Sequence, residues 1–172
     1  MIRIGFYGTG NMAIAMAKGM KGLAKIHGFG RNSQKNRKFS KFGKICKTEK
    51  ELFEKSDVIV LAVKPQNFNE IVEIPKPCCS VLAGISISQL KKICNSKVVR
   101  IMPSLSIEDR KGAILKHGDE IKGLDSLLKK LGKIFVIQEE NFHELSLIAG
   151  SMPALISIYL KCIQNSLVSP LS

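Results

Sequence analysis

Hydrophobic positions along this chain fall into two rhythms. Short, nearly continuous apolar runs of strand length alternate with stretches in which apolar residues recur every three or four positions. That alternation predicts βαβ units around a parallel sheet. Residues 2–7 are expected to form the first strand, followed by a helix with Met12, Ala13, Met16 and Met20 on one face. Residues 26–30 predict a weaker second strand, 45–46 a short third one, and 49–55 a helix presenting Leu52 and Phe53. The run DVIVLAV at 57–63 is the clearest buried strand, because an uninterrupted β-branched stretch suits a strand covered on both faces. Strands at 80–83 and 98–102 should enclose a helix at 86–93 capped by Ser86 or Ser88, with Ile87, Leu90 and Ile93 inward. Residues 113–115 and 134–137 read as edge strands around a helix carrying Ile121, Leu124, Leu127, Leu128 and Leu131. From Glu139 the strand signal stops: residues 139–164 predict one long helix, kinked or broken at Pro153, and the domain boundary falls near residue 138.

Composition narrows the picture. The 172 residues are 45% apolar, ordinary for a globular protein with a real core. The best candidate for a membrane span, residues 152–160, is too short and ends at Lys161, so no membrane is expected. Gly5, Gly8, Gly10 and Asn11 interrupt any signal-peptide core, which points to the cytoplasm. Five cysteines with no C-x-x-C pair suggest neither a disulfide framework nor a metal site. The net charge of +13 is local: residues 18–50 hold eleven basic side chains against Glu49 alone. Such a field draws an anion, which leaves a nucleic acid, a membrane surface or a phosphorylated cofactor to be told apart. Nucleic acid is not expected, since the basic stretch has only Phe29, Phe39 and Phe42 as interleaved aromatics and shows no recognised module.

The cofactor reading comes from Gly8-x-Gly10-x-x-Ala13, which follows a predicted strand and opens a predicted helix. The first glycine permits the tight turn, the second admits a pyrophosphate to the backbone, and Ala13 keeps helix and strand close. Backbone N–H groups at the helix start then face the phosphate charge. At the end of the second strand an NAD site places an acid for the ribose hydroxyls, whereas an NADP site supplies basic and polar groups. Here the stretch is Phe29-Gly30-Arg31-Asn32-Ser33-Gln34-Lys35, without an acid, so NADP(H) is preferred over NAD(H). Arg31 is expected to meet the 2′-phosphate, with Asn32, Ser33 and Lys35 beside it.

Five ordered blocks, MIRIGFYGTGNMAIAMAKG, SDVIVLAVKPQ, VLAGISISQL, VVRIMPS and GKIFVIQEENFHELSLIAGSMPA, resemble the motifs of the pyrroline-5-carboxylate reductase family. The resemblance runs from residue 1 to about residue 160. It implies an α/β Rossmann-type, doubly wound and mostly parallel sheet in residues 1–138, followed in residues 139–172 by the shortened start of an all-helical dimerisation domain. It further implies hydride transfer from NADPH to the cyclic imine 1-pyrroline-5-carboxylate, a step of proline biosynthesis, by an enzyme that is a homo-oligomer in its family. The cofactor set implied by motif and resemblance together is Tyr7, Gly8, Thr9, Gly10, Asn11, Met12, Arg31, Asn32, Ser33, Lys35, Ala62, Val63, Lys64, Pro65, Ala83 and Gly84. Ser151 is the one substrate-contact candidate, and no catalytic residue is assigned: His27 and His117 lie outside the expected cofactor loops, and His143 is expected to be a surface or packing residue on the following helix.

Two departures from the family pattern bear on function. Met102-Pro103 leads to Ser104-Leu105-Ser106 where the family has Asn-Thr-Pro, and Met152 stands where the family has a glycine near the reacting centre. Residues 166–172 match nothing in the pattern, and the stripe Leu155, Ile156, Tyr159, Leu160 and Ile163 is expected to lack its usual cover. On this reading the chain binds cofactor and turns over weakly or not at all alone; the alternative is a non-catalytic NADP(H)-binding or regulatory protein. The 2′-phosphate assignment predicts that Arg31→Glu weakens NADPH far more than NADH in a fluorescence titration. Equal losses for both nucleotides would remove Arg31 from the phosphate site.

Overall fold

The computed structural model describes residues 1–168. Eight strands form one sheet: β1 Arg3–Tyr7, β2 Lys25–Phe29, β3 Lys44–Ile45, β4 Val58–Leu61, β5 Cys78–Ser80, β6 Val98–Pro103, β7 Gly112–Gly118 and β8 Gly132–Val136. Their spatial order is β3-β2-β1-β4-β5-β6-β7-β8, so the chain winds outward in one direction from β1 and then returns to wind outward in the other. All neighbours are parallel except β6 and β7. The helices are α1 Asn11–Met20, α2 Ser33–Phe39, α3 Glu49–Glu54, α4 Ile87–Leu90, α5 Lys122–Leu128 and α6 Glu139–Val168. Short 3-10 turns occupy Pro65–Glu70 and Leu105–Asp109.

Period-2 alternation in β4 divides the core in two. Val58 and Val60 join Ile4, Phe6, Val99, Ile101 and Ile114 under α1 and α5, while Ile59 and Leu61 join Tyr7, Cys78 and Val98 on the face holding Leu52, Phe53 and Leu90. Covered on both sides, β4 has no polar position, which is why its sequence reads as a continuous apolar run. Helix α1 is buried over more of its circumference than an ordinary amphipathic helix, because Leu105–Asp109 packs on it from outside the sheet. Gly19 marks that contact: a β-carbon there would lie 2.3 Å from the Ile107 carbonyl oxygen. The five apolar residues expected on the helix at 121–131 are all buried, although the helix itself spans only Lys122–Leu128.

Several expectations need correction. The strand expected at 57–63 ends at Leu61, since Ala62 and Val63 peel away from the sheet. The strand expected at 80–83 lies earlier, at Cys78–Ser80, where two cysteines serve as small buried apolar residues. The helix expected at 86–93 is a single turn; Ser86 caps it with a reciprocal Ser86–Gln89 capping box. Helix α2 was not expected, for its sequence SQKNRKF buries only Phe39. It starts because Asn32 accepts a hydrogen bond from the Lys35 N–H at 2.9 Å. The segment at 113–115 is not an edge: β7 lies between β6 and β8, and the edges are β3 and β8.

Helix α6 is assigned unbroken through position 153, where a kink or break was expected. The side chains of His143, Ser151, Met152 and Pro153 lie outside the described residues, as do positions 169–172. Leu155, Ile156, Tyr159, Leu160 and Ile163 are 38–67% exposed, so the expected apolar stripe is uncovered here. Charge holds the first turn of α6 instead. The Glu139 carboxylate accepts from the Ile87 backbone N–H at 2.8 Å and from the Arg100 guanidinium at 3.0 Å, and Arg100, only 5% exposed, lies 4.2 Å over the Phe142 ring. The Ile87 N–H, and then Arg100, hold the Glu139 carboxyl below its ordinary value of 4.5. A depressed folded-state pKa stabilises the fold above about pH 4.5, and that contribution disappears as pH falls through the lower, folded value. Glu139 is 37% exposed and therefore partly screened, so Glu139→Gln is expected to cost about 1 kcal/mol at neutral pH. Urea unfolding should show the gap between wild type and variant closing as the pH is lowered toward about 3.

Candidate functional site

Ligands of open α/β sheets gather at the carboxyl ends of the strands where the winding reverses. Here that place is the end of β1, flanked by β2 and β4. The chain leaves β1 at Gly8, whose φ of +108° is open to glycine and strained for any other residue. The Gly8 N–H donates to the Phe29 carbonyl at 2.8 Å, and the Ala62 N–H donates to the Tyr7 carbonyl at 2.9 Å. A β-carbon on Gly8 would lie 2.5 Å from the Ala62 carbonyl oxygen, so this turn is pressed directly against the end of β4. Gly10, in contrast, has no neighbour closer than 3.8 Å to where a β-carbon would sit. It is the N-cap of α1 without a capping side chain, which leaves the first N–H groups of the helix facing the space above the turn.

That space is a cleft of about 700 Å³, within the range of small-molecule sites. Of the sixteen residues expected at a cofactor site, thirteen line it: Tyr7, Gly8, Thr9, Gly10, Asn11 and Met12 from the first turn, Arg31, Asn32 and Lys35 from the β2 side, and Ala62, Val63, Lys64 and Pro65 from the β4 side. Ser33 does not line it, being the first residue of α2 and exposed. Ala83 and Gly84 do not line it either; they form an exposed turn beyond β5, one strand further along the same sheet edge. Gly84 has a φ of +74° and open space where a side chain would be. Ser151 is on α6, its side chain outside the described residues.

Several of these side chains serve the site by holding its backbone. Thr9 is buried, and its hydroxyl donates to the Asn36 side-chain oxygen at 2.8 Å. The Asn36 amide in turn donates to the Gly30 carbonyl at 2.7 Å, which ties the glycine turn to α2 and to the end of β2. Tyr7 donates to Glu49 at 2.5 Å; burial first, and then the Glu49 carboxylate, push the phenol well above its ordinary range, so it remains a neutral donor. Sequence reasoning missed Phe29, Gly30, Asn67, Glu70 and Ile71 among the lining residues. The last three belong to the segment after Pro65, whose one sequence signal is the proline that starts the Pro65–Glu70 turn. Glu70 forms an ion pair with Arg31.

A glycine turn at a sheet reversal, an uncapped helix N-terminus above it and a cationic β2 side define a dinucleotide-binding Rossmann domain. The family described as NADP oxidoreductase, coenzyme F420-dependent, matches residues 3–77. Over nearly the whole chain there is similarity to pyrroline-5-carboxylate reductases. Pyrroline-5-carboxylate reductase 2 of Bacillus subtilis is 28% identical across 96% of this chain and 68% of its own length. The Aquifex aeolicus pyrroline-5-carboxylate reductase is 30% identical across 90% of this chain and 64% of its own length. The solved 1-pyrroline-5-carboxylate reductase of Streptococcus pyogenes superimposes with a TM-score of 0.87 at 22% identity, covering 98% of this chain and 72% of that one. A Plasmodium falciparum pyrroline carboxylate reductase, solved with NADP bound, gives 0.84 at 23% identity, covering 99% and 71%. The chain is similar to pyrroline-5-carboxylate reductases over nearly its whole length, and it spans about two thirds of the length of the curated relatives it matches.

The close packing at Gly8 generates a direct test. Gly8→Ala should force the turn away from Ala62 and weaken NADPH binding by at least about 100-fold, with the far-ultraviolet circular dichroism unchanged. Wild-type affinity in the variant would mean that the dinucleotide sits elsewhere.

Proposed function

We propose that residues 1–138 are the NADP(H)-binding domain of a pyrroline-5-carboxylate reductase and that residues 139–172 belong to a second, helical unit. The observation that carries this reading is the glycine turn beneath the uncapped N-terminus of α1, set in a 700 Å³ cleft with Arg31, Lys35 and Lys64 on its walls. The pyrophosphate belongs over Gly8–Asn11, where Gly10 leaves room for it. The adenosine end with its 2′-phosphate belongs at Arg31, Asn32 and Lys35, and the nicotinamide end runs over Ala62–Pro65 toward Ala83 and Gly84. Gly84 stays open to the ring because nothing occupies the space above it. A nicotinamide held there would supply a hydride to the imine carbon of 1-pyrroline-5-carboxylate protonated on nitrogen, which would give proline.

The protein's own contribution is mostly placement. The Thr9–Asn36–Gly30 chain fixes the glycine turn against β2, and the Gly8–Ala62 contact fixes it against β4. Glu139 ties the Ile87 N–H, just beyond the Ala83–Gly84 turn, to the start of α6. The loop after β5 is thereby anchored to the helix that leads into the second unit. A protonated cyclic imine is already electrophilic, so this chemistry demands no strong acid from the protein.

The test combines binding and turnover. NADPH should quench or shift its own fluorescence on titration with the chain and bind more tightly than NADH by about tenfold or more, the scale of one added charge-assisted contact. With 1-pyrroline-5-carboxylate present, NADPH absorbance should fall slowly and proline should accumulate. Nucleotide binding with no proline formed would favour the non-catalytic, cofactor-binding alternative, and absence of NADPH binding would defeat both.

A further inference from the structure

The Arg31–Glu70 ion pair lies across the cofactor cleft. Arg31 follows β2 and Glu70 ends the Pro65–Glu70 turn after β4. Since β2 and β4 flank β1, the pair joins segments that follow strands on opposite sides of β1, and both residues line the same cleft. The absence of an acid in the stretch after β2, which identifies an NADP site from sequence, is thus offset in space by an acid supplied from the far wall.

Resting on the assignment of Arg31 to the 2′-phosphate, we propose that Glu70 is a cofactor-specificity residue: its carboxylate occupies the Arg31 guanidinium in the free protein and competes with the 2′-phosphate for it. The two side chains remain 63% and 51% exposed, and exposed pairs of this kind are weak. A 2′-phosphate brings nearly twice the charge and matches the guanidinium fork, so it displaces the carboxylate. NADH has only a neutral ribose hydroxyl at this place and leaves the pair intact. Glu70 therefore lowers the affinity for NADPH selectively and narrows the preference between the two nucleotides. Lys64, on the β4 side of the cleft, adds positive charge for either nucleotide's pyrophosphate and does not discriminate in this way, whereas Lys35 belongs with Arg31 at the 2′-phosphate end.

The experiment uses the full 172-residue chain and four probes, NADPH, NADH, 2′,5′-ADP and 5′-AMP, titrated calorimetrically at low salt. Glu70→Gln is expected to tighten NADPH and 2′,5′-ADP about three- to tenfold, with NADH and 5′-AMP within about twofold of wild type. In an Arg31→Gln background the same substitution should change none of the four by more than about twofold, because the competition has lost its object. If Glu70→Gln weakens NADH, Glu70 holds the ribose hydroxyls and the proposal is wrong; equal tightening of all four probes would likewise overturn it in favour of a general field effect. Arg31→Gln separates the two levels. Equal losses for NADPH and NADH would discard the 2′-phosphate reading itself, whereas a selective loss of NADPH with a silent Glu70→Gln would discard only the role of Glu70.

Discussion

Strands β1 and β4 lie side by side, and the backbone leaving β1 has to turn without meeting the backbone leaving β4. With the Gly8 site for a β-carbon 2.5 Å from the Ala62 carbonyl, only a glycine at φ +108° meets that demand. From this one contact the rest of the site follows. The turn places Gly10 at the N-cap of α1, and α1 in turn packs across the sheet with Gly19 against Ile107. Ala62 and Val63 are free to line the cleft because β4 ends at Leu61, where the glycine turn occupies the ground beside it.

The charge of the chain acquires a structural meaning from the same geometry. Residues 18–50 carry most of the excess, and they comprise the end of α1, β2, α2 and β3, one flank of the sheet reversal. Arg31 and Lys35 line the cleft, whereas Lys38 and Lys41 face the adjoining groove near Leu105. Helix α2 is built so that its polar surface stays in solvent while Phe39 alone reaches the core, edge-on to Phe6. A basic field over an anion-binding turn raises the local concentration of a phosphorylated ligand even where no single lysine touches it.

What the sequence made legible was whatever depends on neighbours in the chain. The continuous apolar runs of β1 and β4, the glycine turn and the Ser86 cap are local features, and each is where its pattern placed it to within a few residues. Helix α2 was illegible because a helix that buries one residue in seven has no hydrophobic period to read. The antiparallel β7 was taken for an edge because a strand's neighbours are set by topology, and nothing in Ala113–Leu115 itself distinguishes an edge from an interior strand. Glu70 was missed for the related reason that the rule about acids after β2 concerns a stretch of sequence, while the carboxylate that meets Arg31 arrives from thirty-nine residues away.

The start of α6 illustrates how a small charged contact can do what packing does elsewhere. The sheet edge before it is poorly covered, with Val136 79% exposed, and the distal helix exposes its apolar stripe. Among the described side chains of its first turns Phe142 alone is fully sequestered, and it lies under the Arg100 guanidinium. Arg100 is buried on β6 and needs a counter-charge; Glu139 provides it and at the same time caps the first turn of α4 through the Ile87 N–H. Removing the carboxylate would leave a buried cation and an unanswered backbone donor together. The direction in which α6 leaves the sheet is therefore tied, through Glu139, to the loop that follows β5.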